Sequence, residues 1–334
     1  MRVFVGVPTF GRPEMLRRAL KSIANQTFQD FGVLVSDNGN DPANLEVVRS
    51  FDDRFEYIGQ PKNLGLVGNW NFLRSLGNAP LWAFLEDDNF WDPQHLERAI
   101  SALDANPDVQ MWFCPAKDWI DKPGVPLERR PGQIDSSSTS TILELPRTHS
   151  VEWLRGSRCP SSSVVIRMPE IRRNVFDPSL PFSHDYLRWG QIGVRNPVLR
   201  SELSTCNYTY HDANAVSGLM LSRESGQQMR EVRRRLAEII LEEQSWDGIR
   251  IGEIVCTTFR AEEIGQLVPA LLSGKATRQL KSAGRYIWSE RPDSHTTSGH
   301  MRAAKALGLW YFRFVDLVDH FAGKFAVIKK RIIG

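Results

Sequence analysis

The sequence is poor in the features that would settle its class at once. Four cysteines, Cys114, Cys159, Cys206 and Cys256, are scattered through 334 residues with no C-x-x-C pair. That spacing supports neither a zinc knuckle nor a disulfide framework, and it fits a reducing cytoplasm. No run of about 18 apolar residues occurs, so no membrane span is expected. The opening residues, Met1 to Pro8, are too short and too interrupted for a signal peptide and read as a first buried strand. Charge of one sign is also lacking: 42 basic against 39 acidic residues leave a formal charge of +3. A chain so balanced carries no electrostatic footprint for nucleic acid.

What is present is ordinary in amount, with 41% apolar and 24% charged residues, and informative in order. Val3–Val7 is a short β-rich run ended by Pro8, and Met15, Leu16, Ala19, Leu20 and Ile23 then recur at helical spacing behind Pro13. Residues 31–36 form a second strand, closed by the turn signal Asp37-Asn38-Gly39-Asn40. Residues 45–51 read as helix, 55–58 as strand, 70–76 as helix, 81–85 as strand, 96–103 as helix, 109–113 and 163–166 as strands. The alternation predicts an α/β fold with a mostly parallel sheet covered by helices, in which ligands bind at the carboxyl ends of strands. Between residues 115 and 147 the prolines and the Ser136–Ser140 run predict a long loop region. After about Ser222 helical spacing takes over (Met229, Val232, Leu236, Ile239, Ile240). The expected division is residues 1–221, an α/β domain, and 222–334, a helical C-terminal region.

Two segments carry chemistry. Glu86-Asp87-Asp88 follows an apolar strand, and carboxylates there can hold a hard divalent cation that neutralises a diphosphate. A solvated acidic turn is the bland alternative. Pro61 to Trp70 places two glycines and two asparagines before a helix, which suits close backbone approach and amide recognition of a ligand. There the alternative is a loop with Asn69 as helix cap.

Val7-Pro8-Thr9-Phe10 with Arg12, then Ser36-Asp37-Asn38-Gly39, Asn63-Leu64-Gly65 and Phe84-Leu85-Glu86-Asp87-Asp88, in this order, resemble glycosyltransferase family 2, of the Rossmann-like GT-A fold. The resemblance spans roughly the first two thirds of the chain. It implies an inverting, nucleotide-sugar-dependent transferase. Pro8, Thr9, Phe10, Arg12 and Asp37 would hold the donor nucleotide, with Asn63, Gly65 and Asn69 lining its pocket. The family's D-x-D maps onto Glu86 and Asp88, around Asp87. Asp88 becomes the direct ligand of Mn2+ or Mg2+, and Glu86, which departs from the usual Asp, acts through water or ribose. The segment Phe176 to Tyr186 resembles the acceptor side, with His184 in place of the usual Glu and Asp185 as general base. A helix-start acid is the structural alternative for Asp185. In Tyr208–Ser217, His211 would complete the metal or diphosphate site. Trp153, Arg155, Ser161 and Ser162 fall where acceptor contacts are built.

The resemblance thus implies a UDP- or dTDP-sugar donor and a glycan, lipid-linked or cell-envelope acceptor. In the C-terminal region Leu307, Trp310, Phe314, Leu317, Val318, Phe321, Phe325 and Ile328 recur every three or four residues among Lys and Arg. Such a face either lies on the cytoplasmic membrane surface or packs on protein, a second copy included. A non-catalytic sugar-nucleotide-binding protein and a sugar-phosphate nucleotidyltransferase are the alternatives. The second lacks its Gly-rich basic loop in Val7–Arg12, and the first leaves the paired donor and acceptor acids without a purpose.

Overall fold

A computed structural model describes residues 1–133, 135–212, 214 and 223–243. The chain parts into two compact units, Met1–Val232 and Arg233–Gly334. Of the second unit only residues 233–243 are described, so the basic apolar pattern from Leu307 to Ile328 lies outside the described residues.

The strands are β1 (Val3–Thr9), β2 (Phe31–Asp37), β3 (Phe55–Gly59), β4 (Leu81–Phe84), β5 (Phe90–Trp91), β6 (Met111–Phe113), β7 (Ala116–Ile120), β8 (Glu128–Arg129), β9 (Thr141–Glu144), β10 (Val165–Arg167), β11 (Val198–Ser201) and β12 (Cys206–Tyr210). The helices are α1 (Pro13–Ala24), α2 (Pro42–Arg49), α3 (Gly65–Leu76), α4 (His95–Asp104), α5 (Pro146–Arg155), α6 (Met168–Arg173), α7 (His184–Arg195) and α8 (Arg223–Glu243). Eight strands form the main sheet in the order β3-β2-β1-β4-β10-β6-β11-β9. Its first four strands run parallel, β10 is antiparallel to both neighbours, and β6 and β11 are parallel again. The mainly parallel α/β architecture is therefore present.

The order places the topological switch point between β1 and β4. The chain moves from β1 outward to β2 and β3, then returns to β4 on the other side of β1. Loops leaving the carboxyl ends of two such strands diverge and open a crevice. Those loops here are Phe10–Arg12 after β1 and Leu85–Asn89 after β4.

Burial explains the strands. Every residue of β1 and β4 is buried, as near-continuous apolar runs in a covered parallel sheet should be. On α1 the apolar positions Leu16, Ala19, Leu20 and Ile23 are buried, and they join the same core as Val3, Val5 and Val7. Pro13 opens that helix, where its missing N–H costs nothing. Gly11, at φ +64°, makes the turn between β1 and α1.

A second, smaller sheet has the order β5-β12-β7-β8, with β7 and β12 parallel. It corrects the reading of residues 115–147 as a long loop, since β7, β8 and β9 all form there. Their pairing partners include β11 and β12, far along the chain, so no local pattern announces them. Among the described residues no helix is long and apolar enough to cross a membrane.

Candidate functional site

The crevice at the switch point is a cavity of about 530 Å³. From the β1 end come Pro8, Thr9, Phe10 and Arg12, from α3 and the residues before it Asn63, Gly65 and Asn69, and from the β4 end Glu86, Asp87 and Asp88. Asp185 enters from α7 and Tyr208 from β12. Of the residues singled out in the sequence, Asp37, His211, Trp153, Arg155, Ser161 and Ser162 are not among those that line this cavity.

The acids are tied to the β1 loop. Thr9 Oγ1 donates to Asp87 Oδ2 at 2.6 Å, and Arg12 Nε to the same oxygen at 3.2 Å. Arg12 also bonds Asp87 Oδ1 and reaches Asp88 Oδ2 at 3.0 Å. Burial pulls the Arg12 guanidinium down, and the charges of Asp87 and Asp88 overcome it and leave it raised. Burial pushes the Asp87 carboxyl up, and Arg12 works against that shift. Arg12 stands at the helix start with no side-chain cap, because a guanidinium has no acceptor for the helix N–H groups; it donates to the acids instead.

Glu86 differs from its neighbours. Burial raises it above the ordinary carboxylate range, and the charges of Asp88 and Asp185 add to the rise. Its Oε2 accepts from Ser162 Oγ at 3.0 Å and from Asn89 Nδ2 at 2.9 Å. Ser162 Oγ accepts in turn from the Glu86 N–H at 3.1 Å. Next to it, Ser161 Oγ donates to Asp185 Oδ2 at 2.6 Å. One 3-10 turn, Ser161–Ser163, thus grips a carboxylate from the β4 loop and another from α7. The sequence offers only Pro160 and three serines there, which read as loop.

Asp185 lies in the first turn of α7, where the helix dipole favours an anion. Ser183 precedes it, and Gln228 of α8 anchors that approach by accepting from the Phe182 N–H at 3.0 Å. His184 also borders the cavity, with its ring packed on aromatic side chains. Its ring meets Trp70 edge-on at 4.5 Å and Phe176 at 5.6 Å, and burial holds it below the ordinary histidine range. A charged Glu at that position would face aromatic rings, which rationalises the exchange.

His211 closes the far side of Asp88, with Nε2 at 3.1 Å from Oδ2. Asn214 Nδ2 stands 3.4 Å from the same oxygen. The Nδ1 atom of His211 is buried and has no hydrogen-bond partner among the described residues. Thr209 Oγ1 bonds the Asp88 carbonyl and its N–H meets Asn89 Oδ1 at 2.9 Å, so β12 and the acidic loop are stitched together. Among the described residues no three His, Cys, Asp or Glu side chains gather as a ligand group. Asp88 Oδ2 and His211 Nε2, 3.1 Å apart, are two atoms that one cation could contact together. Mg2+ and similar hard cations bind through one or two protein groups plus phosphate oxygens and water, and the pair fits that demand.

Asp37 sits apart from the cavity. It is fully buried, and its carboxylate accepts from the Gly39 and Asp41 N–H groups at 2.8 Å, from Asn44 Nδ2 at 3.0 Å and from Tyr57 Oη at 2.9 Å. Four donors fill its acceptor capacity. Asp37 shapes the loop, and the neighbouring Asn38 faces the cavity instead. Asn38 also clips the α3 loop by accepting from Leu64 N at 3.0 Å and donating to Gly65 O at 3.0 Å. Asn69 is inside α3 and does not cap it; its Nδ2 donates to Ser36 O at 2.9 Å. Asn63 Oδ1 accepts from Gly65 N at 2.7 Å, and Gly65 adopts φ +73°.

Residues 4–163, from β1 through the serine turn, match the model of the family described as Glycosyl transferase family 2. This segment is a glycosyltransferase family 2 domain. Among curated relatives, validoxylamine A glucosyltransferase of Streptomyces hygroscopicus subsp. jinggangensis is 29% identical over 258 residues, covering 65% of this chain and 58% of that protein. A Campylobacter jejuni GalNAc(5)-diNAcBac-PP-undecaprenol beta-1,3-glucosyltransferase is 36% identical over 106 residues, 30% of this chain and 33% of that protein. The chain thus spans little more than half the length of the first relative and a third of the second. Staphylococcus aureus TarS 1–349 in complex with UDP-GlcNAc superposes with a TM-score of 0.59 at 17% identity, over 86% of this chain and 81% of that one. The mannosyltransferase PcManGT of Pyrobaculum calidifontis, solved with GDP-Man and Mn2+, gives 0.51 at 12% identity, over 95% and 87%. Both likenesses concern the GT-A fold.

Proposed function

We propose that the chain is an inverting glycosyltransferase that moves a sugar from a UDP- or dTDP-sugar to a hydroxyl of a glycan, lipid-linked or cell-envelope acceptor. The observation that carries this reading is that one cavity at the β1/β4 switch point is lined by the acids of both expected half-sites, Glu86 to Asp88 and Asp185. The bound molecules of TarS and PcManGT, a UDP-sugar and a GDP-sugar, support a nucleotide-sugar donor. The undecaprenol-linked substrate in the name of the Campylobacter relative supports a lipid-linked acceptor.

In this reading Pro8, Thr9, Phe10, Arg12, Asn63, Gly65 and Asn69 hold the nucleotide. Asp37 acts by shaping the loop that presents Asn38. Asp88 and His211 hold a divalent cation, Mn2+ or Mg2+. Such a cation supplies charge neutralisation to the departing diphosphate. Arg12 shares that task, since its guanidinium already sits against Asp87 and Asp88. Glu86, raised by burial, can keep a proton and donate a hydrogen bond to ribose or water. Asp185 takes the proton from the acceptor hydroxyl as its oxygen attacks the anomeric carbon. One displacement inverts the configuration.

Residues 1–221 would form the catalytic part and 222–334 a helical region. That region would touch the cytoplasmic membrane face or a second copy of the chain. The test of the reaction is release of nucleoside diphosphate from a panel of UDP- and dTDP-sugars with Mn2+ or Mg2+. Proton NMR of the product reads its anomeric configuration. A panel in which no donor is turned over, with or without glycan acceptors, overturns the proposal; a retained configuration overturns the single displacement.

A further inference from the structure

Tyr208 and Tyr210 occupy the same face of β12, because side chains two apart in a strand share a side. Tyr208 lines the cavity with Asp88 and Asp185. Tyr210 is one step further out, about 7 Å along the strand, and leaves 36% of its surface open. The two rings meet edge to face at 5.0 Å and 67°. The parallel register sets Asp118 of β7 beside Tyr208. Asp118 Oδ2 accepts from Tyr210 Oη at 3.4 Å and from Arg130 Nη1 at 3.5 Å, and the Arg130 guanidinium lies 4.9 Å from the centre of the Tyr210 ring. An aromatic path with a charged pair at its rim leads out of the cavity. No part of the proposed transfer uses its outer end.

We infer that Tyr208, Tyr210, Asp118 and Arg130 form an acceptor subsite for a neutral glycan at least two pyranose units long. The inference rests on the proposed transfer at Asp185 and extends it to the acceptor's class and length. The first unit lies beside Asp185 and Tyr208, with its hydroxyl toward the base. The second meets Tyr210. An aromatic ring offers an apolar surface to the C–H face of a sugar. Sugar hydroxyls both donate and accept, and the rim supplies both: a carboxylate that accepts and a guanidinium that donates. Arg130 and Asp118 cancel in charge, so the patch offers an anionic polymer no net attraction.

The test uses the full chain saturated with UDP or, where UDP does not bind, with dTDP. Saturation-transfer NMR is recorded with methyl β-glucoside, methyl β-galactoside and methyl N-acetyl-β-glucosaminide, each beside a disaccharide glycoside of the same sugar. At least one disaccharide is expected to bind about five- to tenfold more tightly than its monosaccharide, an aromatic stack's share, with saturation reaching both rings. Tyr210→Ala removes that gain and Tyr210→Trp keeps it. Arg130→Ala, at an exposed position, lowers disaccharide affinity, and circular dichroism checks that each variant is folded. Equal affinity for both lengths, saturation confined to one ring, or an undiminished gain in Tyr210→Ala overturns the inference. So does displacement of the disaccharide by inorganic phosphate. A chain that binds neither UDP nor dTDP overturns the proposed transfer as well, whereas one that binds either without length preference overturns the subsite alone.

Discussion

At the scale of single residues, the division of labour between Asp185 and Ser161 is open to direct measurement. A base that takes a proton only from the acceptor has no part in holding the donor. Asp185→Asn is therefore expected to lower kcat by about 10²- to 10⁴-fold while the dissociation constant for UDP stays near that of the parent protein. Normal turnover in that variant sinks the assignment. Ser161 acts one step removed: its hydroxyl holds Asp185 Oδ2 at 2.6 Å. A hydrogen bond to a charged group contributes about 1.5–3 kcal/mol, so Ser161→Ala should cut kcat by at least about tenfold with little change in KM for the donor. Ser161→Thr keeps the hydroxyl and should restore most of the rate. If Thr and Ala behave alike, the serine is only filling space. Asp37 is held by contacts that its own turn does not contain. Its turn, Asp37-Asn38-Gly39-Asn40, is legible in the sequence, but the four donors that occupy its carboxylate include Asn44 and Tyr57, and nothing local announces them.

At the scale of elements, the sheet was readable where one strand's own residues decide its fate. The strands β1, β2 and β4 are buried on both faces, so their apolar runs suffice. The helix α1 carries its buried positions at regular spacing. Strands β7 and β9 had no such signal. Residues 116–120 are all half-buried, and in β9 only Glu144 is buried, paired with Arg158 and Arg200. Their stability comes from partners distant in sequence, which composition cannot show. The helix α4 makes a quantitative point of its own. His95, its first residue, is fully buried, stacks on Trp91 at 4.5 Å and bonds Thr205 Oγ1 through Nδ1 at 2.8 Å. Its Nε2 has no partner among the described residues. Burial lowers its pKa to about 3. The folded state thus binds this proton less readily than the unfolded chain. Its contribution is complete above the ordinary histidine value of about 6.5 and is lost as pH falls toward 3, at up to about 1.4 kcal/mol per pH unit. Replacing His95 with Phe removes the proton site, so the stability advantage of the parent over His95→Phe in urea unfolding should shrink between pH 7 and pH 5. Parallel curves for the two proteins would show that His95 does not titrate on unfolding.

At the scale of the whole molecule, the site exists because separate segments meet at one switch point: the β1 loop, the β4 loop, the serine turn, the start of α7 and the end of β12. The acids were visible one by one, but only the strand order brings Asp88 to His211, and only the small sheet brings Tyr208 to the cavity. This convergence makes ligand binding and folding a single measurable quantity. A ligand that binds only the folded state, present at about 100 times its dissociation constant, stabilises that state by about 2.7 kcal/mol. For a catalytic unit of this size that is an increase of about 5–10 °C in Tm. UDP with Mn2+ is expected to produce such a rise, and EDTA to remove the larger part of it. In Asp88→Ala, UDP alone should still stabilise through the β1 and α3 loops, while addition of Mn2+ should contribute nothing further. His211→Ala should retain part of the metal increment, because one protein oxygen and the diphosphate remain as ligands. The decisive comparison is UDP with Mn2+ against UDP with EDTA in the parent protein. Equal Tm values there would mean that side-chain cations such as Arg12, held against Asp87 and Asp88, meet the diphosphate without a metal, and a metal-independent transfer would replace the metal-dependent one.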